Sequence, residues 1–139
     1  MSTSKSRAAL DACIDTIESG YEYFLAYAAQ GRQTDRDAGA STSQVRQHLA
    51  DMAQAMEGVG AVARACAEER SPDVAEVAAA FFAAIDDDAA KAAAVLRLSL
   101  AQPDISSQLI DNLNASIHVR ALLTDIFIVD EALKSRAKN

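Results

Sequence analysis

The sequence contains no tryptophan, four phenylalanines, three tyrosines, two prolines and five glycines. With so few rings, a core has to be built from Ala, Leu, Val and Ile. Side chains this small favour close approach of helices. With so few breakers, long helices meet little interruption. Cysteine is scarce as well: Cys13 and Cys66 lie 53 residues apart and in no CxxC arrangement. They read as small core residues in a reducing compartment. The longest uninterrupted apolar run, VAAAFFAAI (77–85), is about half of what a bilayer span needs. The stretch MSTSKSRAALDAC lacks the apolar segment of a secretory signal. The expectation is a cytoplasmic protein with no membrane partner.

Basic charge is in deficit, with 13 Lys and Arg against 20 Asp and Glu, for a net charge of −7. No Lys/Arg cluster offsets this, so nucleic acid is not an expected partner, and an anionic membrane surface would repel the chain. Catalytic signatures are missing too. The sequence has no G-x-G-x-x-G, P-loop, G-x-S-x-G, H-E-x-x-H or CxxCH. Its two histidines make any proposed triad arbitrary. Neither an enzyme nor a cofactor is expected.

What the sequence does contain is alanine, within a hydrophobic half, together with helical periodicity. Four helices are expected, at about 4–30, 42–70, 72–101 and 105–136, forming one all-α domain over 1–139. Short connections make neighbours antiparallel, which predicts an up-down-up-down four-helix bundle. The first helix carries Leu10, Ile14, Ile17, Tyr21, Phe24 and Ala28, and the second Val45, Leu49, Met52, Met56, Val59, Ala63 and Cys66. Both stripes alternate steps of four and three. Gly31 is placed to end the first helix, and Ser41 with Gln44 makes a capping box for the second. Gly58 and Gly60 inside the second helix suggest a closely approaching backbone. Ser71-Pro72-Asp73 is the clearest restart signal. The third helix is given the stripe Val74, Val77, Phe81, Ala84, Asp88, Val95 and Leu98, with a kink at Asp86–Asp88 to relieve the buried acid.

Asp104 or Ser106 caps the fourth helix, whose inward stripe is read as Ile110, Leu113, Ile117 and Thr124. That leaves a second stripe of Val119, Leu122, Ile126, Val129 and Leu133 without a partner. A surface helix needs only one apolar face. Either the fourth helix lies centrally, or the 31–41 loop covers this stripe, or Leu122, Ile126, Val129 and Leu133 form an interface toward a second copy or a protein partner; the interface is the expectation taken forward.

A different reading places a small-ligand or metal site at mid-bundle. Matching heights brings Asp88 level with His118, near Tyr21 and the adaptable thioethers of Met52 and Met56. The ferritin-like arrangement is absent, because Val45 and Ala115 stand three residues before the two histidines where glutamates are required. Asp111, His118 and Asp125 recur every seven residues as a water-facing polar stripe. Finally, His48 with the later GVGAVARACAEE (58–69) superficially resembles a histidine phosphotransfer domain. That resemblance implies an exposed, phosphorylatable His48. The residues after it are Leu49, Ala50, Asp51 and Met52. They lack the family's lysine and place a repelling carboxylate there. The sequence favours a non-enzymatic interaction or regulatory protein that self-associates through its last helix.

Overall fold

The computed structural model describes residues 5–36 and 43–137, with side chains as far as 134. The described residues are all-helical: α1 (Lys5–Ala28), α2 (Gln44–Arg70), α3 (Pro72–Val77), α4 (Ala79–Leu100), α5 (Ser107–Ala115) and α6 (Ile117–Ala137). Six helices thus stand where the periodicity suggests four. The two extra boundaries are Ala78 (φ −89°, ψ 4°) and Ser116 (φ −59°, ψ 128°). Neither residue is a glycine or proline, so neither carries a breaker signal.

Several of the expected terminators are in place, although Ser71 makes no side-chain cap hydrogen bond at the start of α3. Gly31 takes φ 66° just beyond α1, the left-handed conformation glycine adopts without penalty. Pro72 opens α3, and the Ser106 hydroxyl accepts from the Leu109 backbone N–H at 3.0 Å to cap α5. Ser41 lies outside the described residues, and the expected capping box is corrected: α2 begins at Gln44 itself, with Ser43 at the N-cap and no side-chain cap hydrogen bond.

Helix α2 packs on both α1 and α4, α4 packs on α6, and α1 packs on α5. The stripes of α1 and α2 are the core-facing ones, with Leu10, Ile14, Ile17 and Phe24 buried against Val45, Leu49, Met52 and Met56. One of the α2 glycines does make room for a neighbour, but that neighbour is a side chain and not a backbone: a Cβ at Gly60 would collide with the Asp86 carboxylate on α4, whereas one at Gly58 would meet nothing within 4 Å.

Two expectations are corrected. First, α4 runs unbroken through Asp86, Asp87 and Asp88, so the interruption falls at Ala78 and not at the aspartates. The core stripe is Phe82, Ile85, Ala89, Ala92, Ala93, Leu96 and Ser99. This is rotated by one residue from the expected set, of which Val77 is 87% exposed and Leu98 67% exposed. The rotation moves Asp88 from the seam to its flank, which removes the reason for a kink.

Second, the stripe assigned to an interface is the core stripe. Leu122 and Ile126 are 0% exposed, and Val119, Val129 and Leu133 are also buried. The supposed inward residues Ile117 and Thr124 face out. The cause is Ser116. Its extended backbone ends α5, and its carbonyl accepts from the Arg120 N–H at 3.0 Å to start α6 afresh. A stripe carried across it from Ile110 and Leu113 loses phase.

Polar locks close the two ends. At one end, the Tyr27 hydroxyl donates to the Ile105 carbonyl at 2.6 Å and the Ser107 hydroxyl to the Tyr27 carbonyl at 2.7 Å. Arg46 binds the buried Asp35 carboxylate at 2.7 Å and three carbonyls at and beyond the end of α4, those of Leu100, Gln102 and Pro103. At the other end, the mostly buried Arg7 pairs with Asp130 and with Asp11, and the Ser6 hydroxyl donates to Glu69 at 2.8 Å.

Candidate functional site: an acid pair and an outward apolar face on the last helix

The five residues expected to hold a ligand fall in two environments. Met52 and Met56 are fully buried in α2, and Tyr21 packs half-buried against the same core. Met52 fills the space left by Gly20, where a Cβ would come within 3.0 Å of its Sδ. The thioether thus serves the α1–α2 contact. Asp88 is half-buried on α4 and His118 is exposed on α6.

Asp88 does face the last helix, as the height-matching expects, but its partner is Asp125. The histidine lies seven residues earlier, roughly 10 Å back along the helix axis. Among the described residues, no group of three or more His, Cys, Asp or Glu is placed to hold a metal ion. His48 stacks on Tyr23, with ring centroids 4.3 Å apart, so one imidazole face is covered.

The Asp88–Asp125 pair is the unusual chemistry of the molecule. Asp125 Oδ2 is buried and meets no hydrogen-bond partner among the described residues. Burial, and then the hydrogen bond and charge of Asp88, push the Asp125 carboxyl up to about 7. Two adjacent acids of this kind share a proton when one is present. The folded state therefore favours protonated Asp125. Its contribution is fully present below the ordinary carboxylate value and is lost as pH rises toward 7. We expect Asp125→Asn to raise the melting temperature by about 4 °C at pH 8, or about 1 kcal/mol after solvent screening, and by almost nothing at pH 4. Scanning calorimetry at both pH values checks this. Equal gains at both would mean the second charge has no cost.

Sequence periodicity places Asp125 on a water-facing stripe. The seven-residue recurrence with Asp111 and His118 holds in that those two are exposed. Asp125 differs because α4 lies against its flank of α6.

The same helix has a second surface. Phe127 is 47% and Ile128 54% exposed, side by side, while the opposite face supplies the core. Thr124, Phe127, Ile128, Glu131 and Ala132 line an open, largely apolar groove. A neighbouring groove includes Ile117, Arg120, Ala121 and again Thr124, so the two meet along the outer side of α6. The last helix is thus apolar on two faces, but the outward one centres on Phe127 and Ile128, which belong to neither expected stripe, while Ile110 and Leu113 stay buried as expected. A count of apolar residues per face could not separate them, because both faces offer Ile.

No family model, no curated protein and no solved structure matches this chain.

Proposed function

We propose that the chain is a non-enzymatic, cytoplasmic helical interaction protein that self-associates through the outward face of α6. Its scaffold, in this reading, is a single antiparallel bundle of four rods: α1, α2, α3 with α4, and α5 with α6. The support for that topology is the reversed order of the contacts. Ser6 meets Glu69 while Tyr23 meets His48, and Glu57 meets Arg97 while Arg64 meets Asp86. Likewise Arg7 meets Asp130 while Tyr27 meets Ile105.

The observation that carries the interaction reading is the exposed Phe127–Ile128 pair on a helix whose other face already supplies the core. Large apolar side chains left together in water mark a surface that gains by association. Aromatic anchors of this kind dominate interface energies. The free thiols of Cys13 and Cys66 accord with a reducing compartment.

Sedimentation velocity on the wild type and on Ile128→Asp tests the proposal. A charge in the centre of a desolvated contact costs several kcal/mol, so the variant's dimer should dissociate at about a hundredfold higher concentration. Its far-ultraviolet circular dichroism should stay that of the wild type. A wild type that sediments as one chain at every concentration overturns the reading, and so does an Ile128→Asp variant that assembles normally.

A further inference from the structure

The outer side of α6 carries a second pattern beneath its apolar one. Arg120, Thr124, Phe127 and Glu131 are all exposed, and their spacing of 4, 3, 4 sets them along one ridge of the helix. The ridge is symmetric about its middle: the ring and methyl positions lie inside, and one cation and one anion lie at equal distances outside. Thr124 contributes to the apolar part, because its hydroxyl already donates to the Arg120 carbonyl at 3.0 Å. Neither the Arg120 guanidinium nor the Glu131 carboxylate is in an ion pair among the described residues, although their neighbours Asp130 and Lys134 are paired with each other.

Charge decides the register. Parallel pairing of two such ridges sets Arg120 against Arg120 and Glu131 against Glu131, two like-charge contacts. Antiparallel pairing about the centre sets Arg120 against Glu131 twice, and lays each Phe127 over a Thr124. A chain with a net charge of −7 also repels its own copy at long range. Placed attraction is therefore needed to hold two acidic copies together.

We propose that the partner of this face is a second copy of the chain, docked about a two-fold axis with the α6 helices antiparallel and Arg120 of each copy opposite Glu131 of the other. The inference rests on the self-association reading above and adds its geometry. A two-fold contact uses the same patch on both copies, so a ridge that is its own complement when reversed is what such a contact requires. In that register each Phe127 ring lies over the open, shallow surface beside Thr124 of the other copy.

The experiment is sedimentation equilibrium at low salt on four proteins: wild type, Arg120→Glu, Glu131→Arg and the double exchange. Each single change converts two attractions into two repulsions, and is expected to weaken the dimer roughly tenfold. The double exchange should restore the wild-type constant, because opposite charges then face each other again with their places swapped. An equimolar mixture of the two single variants should form a one-to-one heterodimer stronger than either homodimer. If Ile128→Asp disperses the dimer but neither single charge change weakens it, the antiparallel register is overturned while self-association stands. A wild type that remains a single chain overturns both. Because every substituted position is exposed, none of these variants depends on repacking the core.

Discussion

Replacing Ile126 by aspartate will unfold the chain, whereas the same replacement at Ile128, two residues along, will leave its stability near that of the wild type and act on assembly alone. Ile126 is 0% exposed and Ile128 54% exposed. The first change removes a fully buried side chain, worth about 1.5–3 kcal/mol in lost burial. It also forces a carboxylate among the buried apolar side chains of the core. The sum exceeds roughly 4 kcal/mol, a large part of the stability of a domain this size. Urea denaturation followed by circular dichroism measures both variants. A folded Ile126→Asp variant that merely loses its oligomer would return the interface to the Leu122–Leu133 stripe and reverse the two faces of α6.

The second large effect belongs to Arg46→Met. The guanidinium holds Asp35 with two nitrogens, at 2.7 and 3.3 Å, and the carbonyls of Leu100, Gln102 and Pro103 at 3.0, 2.9 and 3.1 Å. Asp35 also accepts from the Ile105 N–H at 3.0 Å. One arginine thereby ties the segment after α1 to the turn after α4. Burial would raise the Asp35 carboxyl, but the hydrogen bonds from Arg46, Ile105 and Ser43 outweigh it and hold the group well below the usual carboxylate range. Its stabilising contribution is present above about pH 4 and is lost as pH falls below that value. Methionine keeps the stem but strands the buried charge, at a cost of about 3 kcal/mol near neutral pH. Adding Asp35→Asn to Arg46→Met should recover part of the loss, because no charge then remains unpaired. Chemical denaturation of both variants is the check. An Arg46→Met protein within about 0.5 kcal/mol of wild type would mean that the lock contributes no more than an ordinary surface contact.

These two sites mark what is and is not legible in the sequence. In α1 and α2 the large apolar residues recur among polar ones, so Leu10 through Phe24 and Val45 through Cys66 name the buried face directly. In α4 the contrast fails. Alanine is found on every side, the break at Ala78 shifts the phase by one residue, and periodicity puts Asp88 in a seam that Ala89 occupies. Ser116 does the same to the last helix, so Ile117 and Thr124 exchange places with Leu122 and Ile126.

The acid pair is half visible. Periodicity identifies Asp88 as the aspartate turned toward the last helix, but a heptad's error in height substitutes His118 for Asp125. Nothing in the local sequence announces Arg46, whose partners lie 11 and more than 50 residues away and are mostly backbone carbonyls. Backbone partners leave no trace in side-chain pattern.

Native mass spectrometry of the untagged protein decides whether the chain pairs with itself across α6. The expected spectrum shows a species of twice the 14.7 kDa chain mass, without bound metal or small molecule, that is lost in Ile128→Asp. A single chain carrying a stoichiometric adduct would contradict it and turn attention to Asp88 and Asp125.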